Sequence, residues 1–163
     1  MSKKVLGVDI GNVIINNRII PKDRKLISEQ EYSEQPVIVG AFEALKELNK
    51  RFAGEVYLVS KCTEWAETQV MQWLSSHNFF EITGIKKANI RFCRERSEKE
   101  KKCESLGINY FIDDRLEVLG HMINRAEKLY LFCPDAEEVK QFEMFLKDVT
   151  VINSWNEVLE IIS

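Results

Sequence analysis

Residues 5–15 read "VLGVDIGNVII": an apolar run climbs to a single carboxylate, Asp9, breaks at Gly11-Asn12 and turns apolar again. A short stretch that is apolar at nearly every position suits a strand covered on both faces, as in a parallel sheet clad by helices. Open sheets of that kind hold ligands outside the carboxyl ends of their strands. Asp9 stands at such an end, so the next question is which other strands finish on polar residues.

Strand and helix signals alternate along the rest of the chain. "EVYLVS" (55–60), "NIRFC" (89–93), "NYFIDD" (109–114), "KLYLFC" (128–133) and "VTVIN" (149–153) have strand composition. Between them, Ala41, Leu45, Leu48 and Phe52 form one apolar stripe at helical spacing. Thr63 is placed to cap a second helix carrying Ala66, Val70, Trp73 and Leu74. Ser97-x-x-Glu100 has the pattern of a capping box, and Gly107 can close that helix in a left-handed conformation. A helix from about Asp135 turns Val139, Phe142 and Phe145 or Leu146 inward, and Ser154-x-x-Glu157 caps the last one. Residues 14–36 break the alternation: polar and rich in turn residues, they predict a loose hairpin-like excursion. Repeated strand–helix units predict an α/β fold, a three-layer α/β/α Rossmann-like sandwich around a mainly parallel sheet. All 163 residues are expected to form one domain, with 14–36 as a small flap.

Composition narrows the function classes. The chain has 23 Lys and Arg against 26 Asp and Glu, net −3, which gives no electrostatic reason to expect a nucleic-acid backbone or an anionic membrane. With four cysteines lacking any C-x-x-C pair and only two histidines, a zinc site is not indicated. Reduced core thiols, an N-terminal "MSKK" running straight into a strand, and no segment of membrane-spanning length predict a cytoplasmic protein.

The strand ends carry the chemistry. Strand one ends at Asp9, strand two at Ser60 and strand four at Asp113-Asp114, and the helix before strand four begins near Lys99. Adjacent strands would bring three carboxylates, a hydroxyl and an ammonium together. Three carboxylates at close quarters need a proton or a cation among them. An all-oxygen donor set favours a hard cation, most naturally Mg²⁺, which pairs with phosphate. Asp9 could then attack phosphorus with its free oxygen.

Four motifs in this order, "VDIGNVI", "YLVSK", "SEKEKK" and "FIDDR", resemble those of the haloacid dehalogenase (HAD) superfamily, over residues 5–115. The resemblance implies Mg²⁺ and phosphoryl transfer through an aspartyl-phosphate intermediate on an unidentified phosphomonoester. It implies Asp9 as nucleophile and metal ligand, with Asp114, Asp113 and the Gly11 carbonyl completing the metal site. Ser60, Lys61, Lys99 and Asn12 would contact the phosphoryl group, Lys99 also being catalytic. Lys101 and Lys102 lie on the same helix; Lys99 is preferred because it sits in the first turn. A receiver domain also clusters acids, but with the acidic pair after its first strand and its lysine near the last, the reverse of the order here.

Phosphatases of the superfamily usually read Asp-x-Asp, the second acid protonating the leaving oxygen. Position 11 here is glycine. General acid–base help is worth ~10²–10⁴-fold, so its loss implies slow turnover rather than none. Asp23, Glu29, Glu31 and Glu34 in the excursion are candidate substitutes. The other reading left open is a catalytically idle relative that binds a phosphorylated ligand or protein partner.

Overall fold

The computed structural model describes residues 3–163 apart from Lys22 and Lys25. Six strands form one parallel sheet: β1 (Leu6–Val8), β2 (Val56–Lys61), β3 (Ile90–Cys93), β4 (Tyr110–Asp113), β5 (Lys128–Phe132) and β6 (Thr150–Ile152). Their spatial order is β3-β2-β1-β4-β5-β6. The chain starts in the middle, builds outward to one edge, then returns and builds to the other. The strand order therefore reverses between β1 and β4, where Val8 pairs with both Leu58 and Ile112. Such a switch point opens a crevice beyond the strand ends.

Alternation within each strand divides the core into two layers. Tyr110, Ile112, Tyr130 and Phe132 join the cluster on one face, and Phe111, Leu129 and Leu131 the cluster on the other. The first face is covered by α2 (Ala41–Arg51), α3 (Glu64–Ser76), α4 (Phe79–Thr83) and α8 (Trp155–Ile161), through residues such as Leu45, Trp73, Phe79 and Trp155. The second is covered by α5 (Arg96–Ser105), α6 (Leu116–Gly120) and α7 (Ala136–Gln141) with the 3-10 turn Glu143–Asp148. The expected three-layer sandwich is thus observed.

Gly7 in the middle of β1 is explained by packing. A Cβ there would stand 2.5 Å from Phe111 Cδ2 and 3.0 Å from Ile108 Cδ1. Phe111 is fully buried against the glycine on the neighbouring strand, so neither ring nor backbone has room to yield. Gly7→Ala is expected to cost about 1–3 kcal/mol, the usual cost of overpacking, read as a shift in the denaturant midpoint at unchanged slope.

Local details differ from expectation in three places. Ser97 and Glu100 form no capping box: α5 starts two residues earlier, with Glu95 at its N-cap and no side-chain cap bond. Gly107 does adopt the left-handed conformation after it, φ +69°. The 14–36 excursion is no open hairpin. It touches the chain ahead of α2 at an isolated Ile15–Val37 antiparallel bridge, and contains a 3-10 turn (Asn17–Ile19) and a short helix, α1 (Glu29–Ser33). A capping box between Ser28 and Glu31 starts α1. The segment is sewn to the body by Trp73, whose Nε1–H donates to the Gln35 carbonyl at 2.9 Å, and by an edge-on contact between Tyr32 and Trp65.

Candidate active site

Four of the singled-out positions meet at the carboxyl ends of β1, β2 and β4. Asp9 follows the last residue of β1, and its backbone N–H donates to the Ile112 carbonyl at 2.9 Å, which locks it beside β4. Asp113 closes β4, Asp114 begins the turn after it, and Ser60 lies near the end of β2. Carboxylate oxygens of Asp9, Asp113 and Asp114 all lie within 4.8 Å of one another.

Lys99 is the partner that makes this tolerable. Its side chain is 4% exposed, and Nζ donates to Asp9 Oδ1 at 2.9 Å and to Asp113 Oδ2 at 3.0 Å. Lys101 is exposed and Lys102 half-buried; Lys99, in the first turn of α5, is the lysine that reaches these acids. Burial alone would disfavour its charge, but the Asp113 and Asp9 carboxylates outweigh that and hold the ammonium well above the ordinary lysine range.

The two acids ending β4 do different work. Asp113 is 0% exposed; one oxygen takes Lys99 and the other accepts from the Arg115 N–H at 2.9 Å. Asp114 faces a cavity of about 320 Å³ together with Asp9, Gly11, Asn12, Ser60, Lys61 and Lys99. Tyr32, Cys62, Arg96 and Arg115 also line it, none of them assigned a site role from sequence. Tyr32 arrives on α1 and Arg96 opens α5, placements that only tertiary packing reveals. The turn carrying Asp114 is clamped from a second side. Glu138 of α7, itself buried, accepts from the Leu116 N–H at 2.7 Å and the Glu117 N–H at 3.0 Å, capping α6. Asp23, Glu29 and Glu34 are exposed and Glu31 is engaged by Arg24; none of these four lines the cavity.

Three carboxylates face one ammonium, an excess of negative charge in a largely dry site. Burial, reinforced by the Asp9 charge, pushes Asp113 up to about 6; burial with the Asp9 and Asp113 charges pushes Asp114 up to about 9. The donors are all oxygens, so the set fits a hard divalent cation, which would take the place of those protons. The folded chain holds these protons more tightly than an unfolded carboxylate of pKa 3.8. This stabilising contribution is complete below that value and is lost as pH rises through about 6 and then about 9. In chelator, the melting temperature should therefore fall across that window, and Mg²⁺ should restore it most at the alkaline end. Asp114→Asn should remove the upper part of both effects. A melting temperature that Mg²⁺ fails to raise at the alkaline end of the window would overturn the cation site.

No protein-family model and no curated protein matches the chain in sequence. Its architecture does have solved counterparts. The chain is similar to D,D-heptose 1,7-bisphosphate phosphatase from B. bronchiseptica, crystallised with magnesium and phosphate, at TM-score 0.65 and 13% identity over 96% of both chains. A haloacid dehalogenase-like hydrolase from Burkholderia xenovorans aligns at TM-score 0.68 and 11% identity, over 98% of this chain and 96% of the other. The heptose bisphosphate phosphatase of Burkholderia thailandensis aligns at 0.58 and 15%, over 97% of each. At such identities the likeness is one of fold: this chain has the fold of the haloacid dehalogenase-like hydrolases.

Proposed function

We propose that the protein is a Mg²⁺-dependent phosphohydrolase acting on phosphomonoesters through an aspartyl-phosphate formed on Asp9. The observation that carries this reading is the Lys99 bridge. A buried ammonium ties Asp9 Oδ1 at 2.9 Å and fixes the carboxylate on the cavity wall, from where it would attack bound substrate. Asp9, Asp114 and the Gly11 carbonyl would hold Mg²⁺, with Asp113 behind them, and the cation would supply charge neutralisation for the phosphoryl oxygens. Ser60, Lys61 and Asn12, all on the same cavity, would bind those oxygens, and Lys99 would add positive charge beside them.

Three cationic side chains, Lys61, Arg96 and Arg115, also line the cavity and favour a substrate carrying phosphate over a neutral one. Phosphatase activity of two of the fold neighbours supports the same reaction class. The four cysteines are free, as suits a protein working in a reducing cytoplasm, and no helix among the described residues is long and apolar enough to cross a membrane. The test is a panel of sugar phosphates, nucleotides, phosphopeptides, 3′-phosphorylated oligonucleotides and an aryl phosphate, each with Mg²⁺ and with chelator. Chelator-sensitive hydrolysis supports the reading. Gly11 favours one competitor, a phosphate-binding protein without turnover; saturable Mg²⁺-assisted phosphate binding with no hydrolysis across the panel would select it.

A further inference from the structure

The glycine at position 11 does not leave an empty space. A Cβ placed there would lie 2.8 Å from Asn17 Nδ2, closer than such atoms approach in folded proteins. The chain reverses over residues 10–15, where the Ile14 and Ile15 N–H groups both donate to the Ile10 carbonyl, and this returns Asn17 to the site. Asn12, in a left-handed conformation at φ +61°, then pins it: Asn12 Oδ1 accepts from the Asn17 N–H at 3.0 Å. The Asn17 side chain lines the same cavity as Asp9 and Asp114. Its Oδ1 is buried with no hydrogen-bond partner among the described residues, a costly arrangement for a polar atom unless something else binds there.

We infer that Asn17 occupies the position a second carboxylate would take, and so restricts the site to phosphoryl donors whose leaving group departs as a stable anion, acyl phosphates above all. The inference rests on the phosphohydrolase reading above and shifts its preferred substrate from simple phosphomonoesters to acyl phosphates, which are mixed anhydrides, and to esters of acidic alcohols. A carboxamide donates and accepts hydrogen bonds but yields no proton near neutrality. It can hold a leaving oxygen or a water in place and cannot protonate either one.

The chemistry balances without a proton donor for this class alone. An Asp9 oxygen forms a bond to phosphorus as the bond from phosphorus to the leaving oxygen breaks, and that oxygen keeps the electron pair as a carboxylate. Water then attacks phosphorus, the bond to Asp9 breaks, and Asp9 is again a carboxylate. Both water protons leave on the phosphate, which releases one to solvent. An alkyl phosphate would have to expel an alkoxide and stalls at the first step. The other proton-bearing groups on the cavity are poorly suited to help. Tyr32 is made a weaker acid by burial, Cys62 is pushed up to about 11 for the same reason, and Asp114 would be a ligand of the cation.

The experiment measures kcat/KM with Mg²⁺ for acetyl phosphate, a series of substituted phenyl phosphates and an alkyl phosphate. It compares the natural protein, Gly11→Asp, and Gly11→Asp combined with Asn17→Gly. In the natural protein the rate should fall steadily as the leaving group becomes more basic, with the alkyl ester at least about a hundredfold below acetyl phosphate, the lower range of general-acid assistance. Gly11→Asp alone should gain less on the alkyl ester than the double variant, because the Asn17 amide must first swing aside. The double variant should gain about tenfold or more on the alkyl ester and flatten the series. Equal rates on acetyl phosphate and the alkyl ester in the natural protein would overturn the inference while leaving the phosphohydrolase standing. So would an equal alkyl gain in the single and double variants. Absence of chelator-sensitive turnover on every compound would sink the parent reading and this inference with it. The leaving-group series on the natural protein decides the matter even if the variants do not fold.

Discussion

Asp9→Asn is expected to keep the fold and lose hydrolysis of an aryl phosphate by a factor on the order of 10⁴ or more, as removal of a covalent nucleophile does. An amide oxygen can still accept the Lys99 bond now made by Asp9 Oδ1, so the pocket is not torn open. The substitution also removes one of three crowded negative charges and should leave the melting temperature unchanged or slightly higher in chelator. Activity and stability should therefore separate. Residual chelator-sensitive turnover within tenfold of the natural protein, on material with a native melting curve, would remove Asp9 from the role of nucleophile.

Lys99→Met should have the opposite profile, damaging both properties. The methionine fills similar space but leaves Asp113, 0% exposed, with one buried oxygen unpaired. Breaking a buried ion pair from one side costs about 3–5 kcal/mol. The sign with pH is fixed by the acid left behind. Lys99 is among the groups that keep Asp113 from rising above about 6, so its loss raises that carboxyl further. The variant's deficit should accordingly be largest near pH 8 and shrink toward pH 5, where Asp113 takes up a proton instead. Denaturant unfolding at the two pH values measures it. A deficit under about 1 kcal/mol at both would mean that the bridge contributes little to the fold.

Much of this arrangement was legible in the sequence because it obeys short periodicities. The six strands stand out as apolar runs bounded by turn residues, and the parallel register alone then brings Asp9 beside Asp113. Helices α2, α3 and α8 declare themselves by stripe or cap. Three helices escaped. Helices α1, α4 and α6 have five residues each, too few to show a helical period, although the Ser28-x-x-Glu31 box was a visible signal for the first. Ser97-x-x-Glu100 misled in the other direction, since the same four-residue pattern fits a helix interior equally well. At the site, the motif residues were readable and their neighbours were not. Asn17, Tyr32, Arg96 and Arg115 reach the cavity through a chain reversal, an α1–α3 contact and two helix starts, none of which leaves a local pattern.

Glu138 extends the functional perimeter of the molecule beyond the residues that line the cavity around Asp9. By holding the first amides of α6 it sets the tension on the bend from which Asp114 projects. A Glu138→Ala chain should keep its sheet intact yet show weakened Mg²⁺ affinity by calorimetry, a lesion felt at one address and caused at another. Surveys of natural variation in this protein would then find position 138 constrained alongside the motif acids.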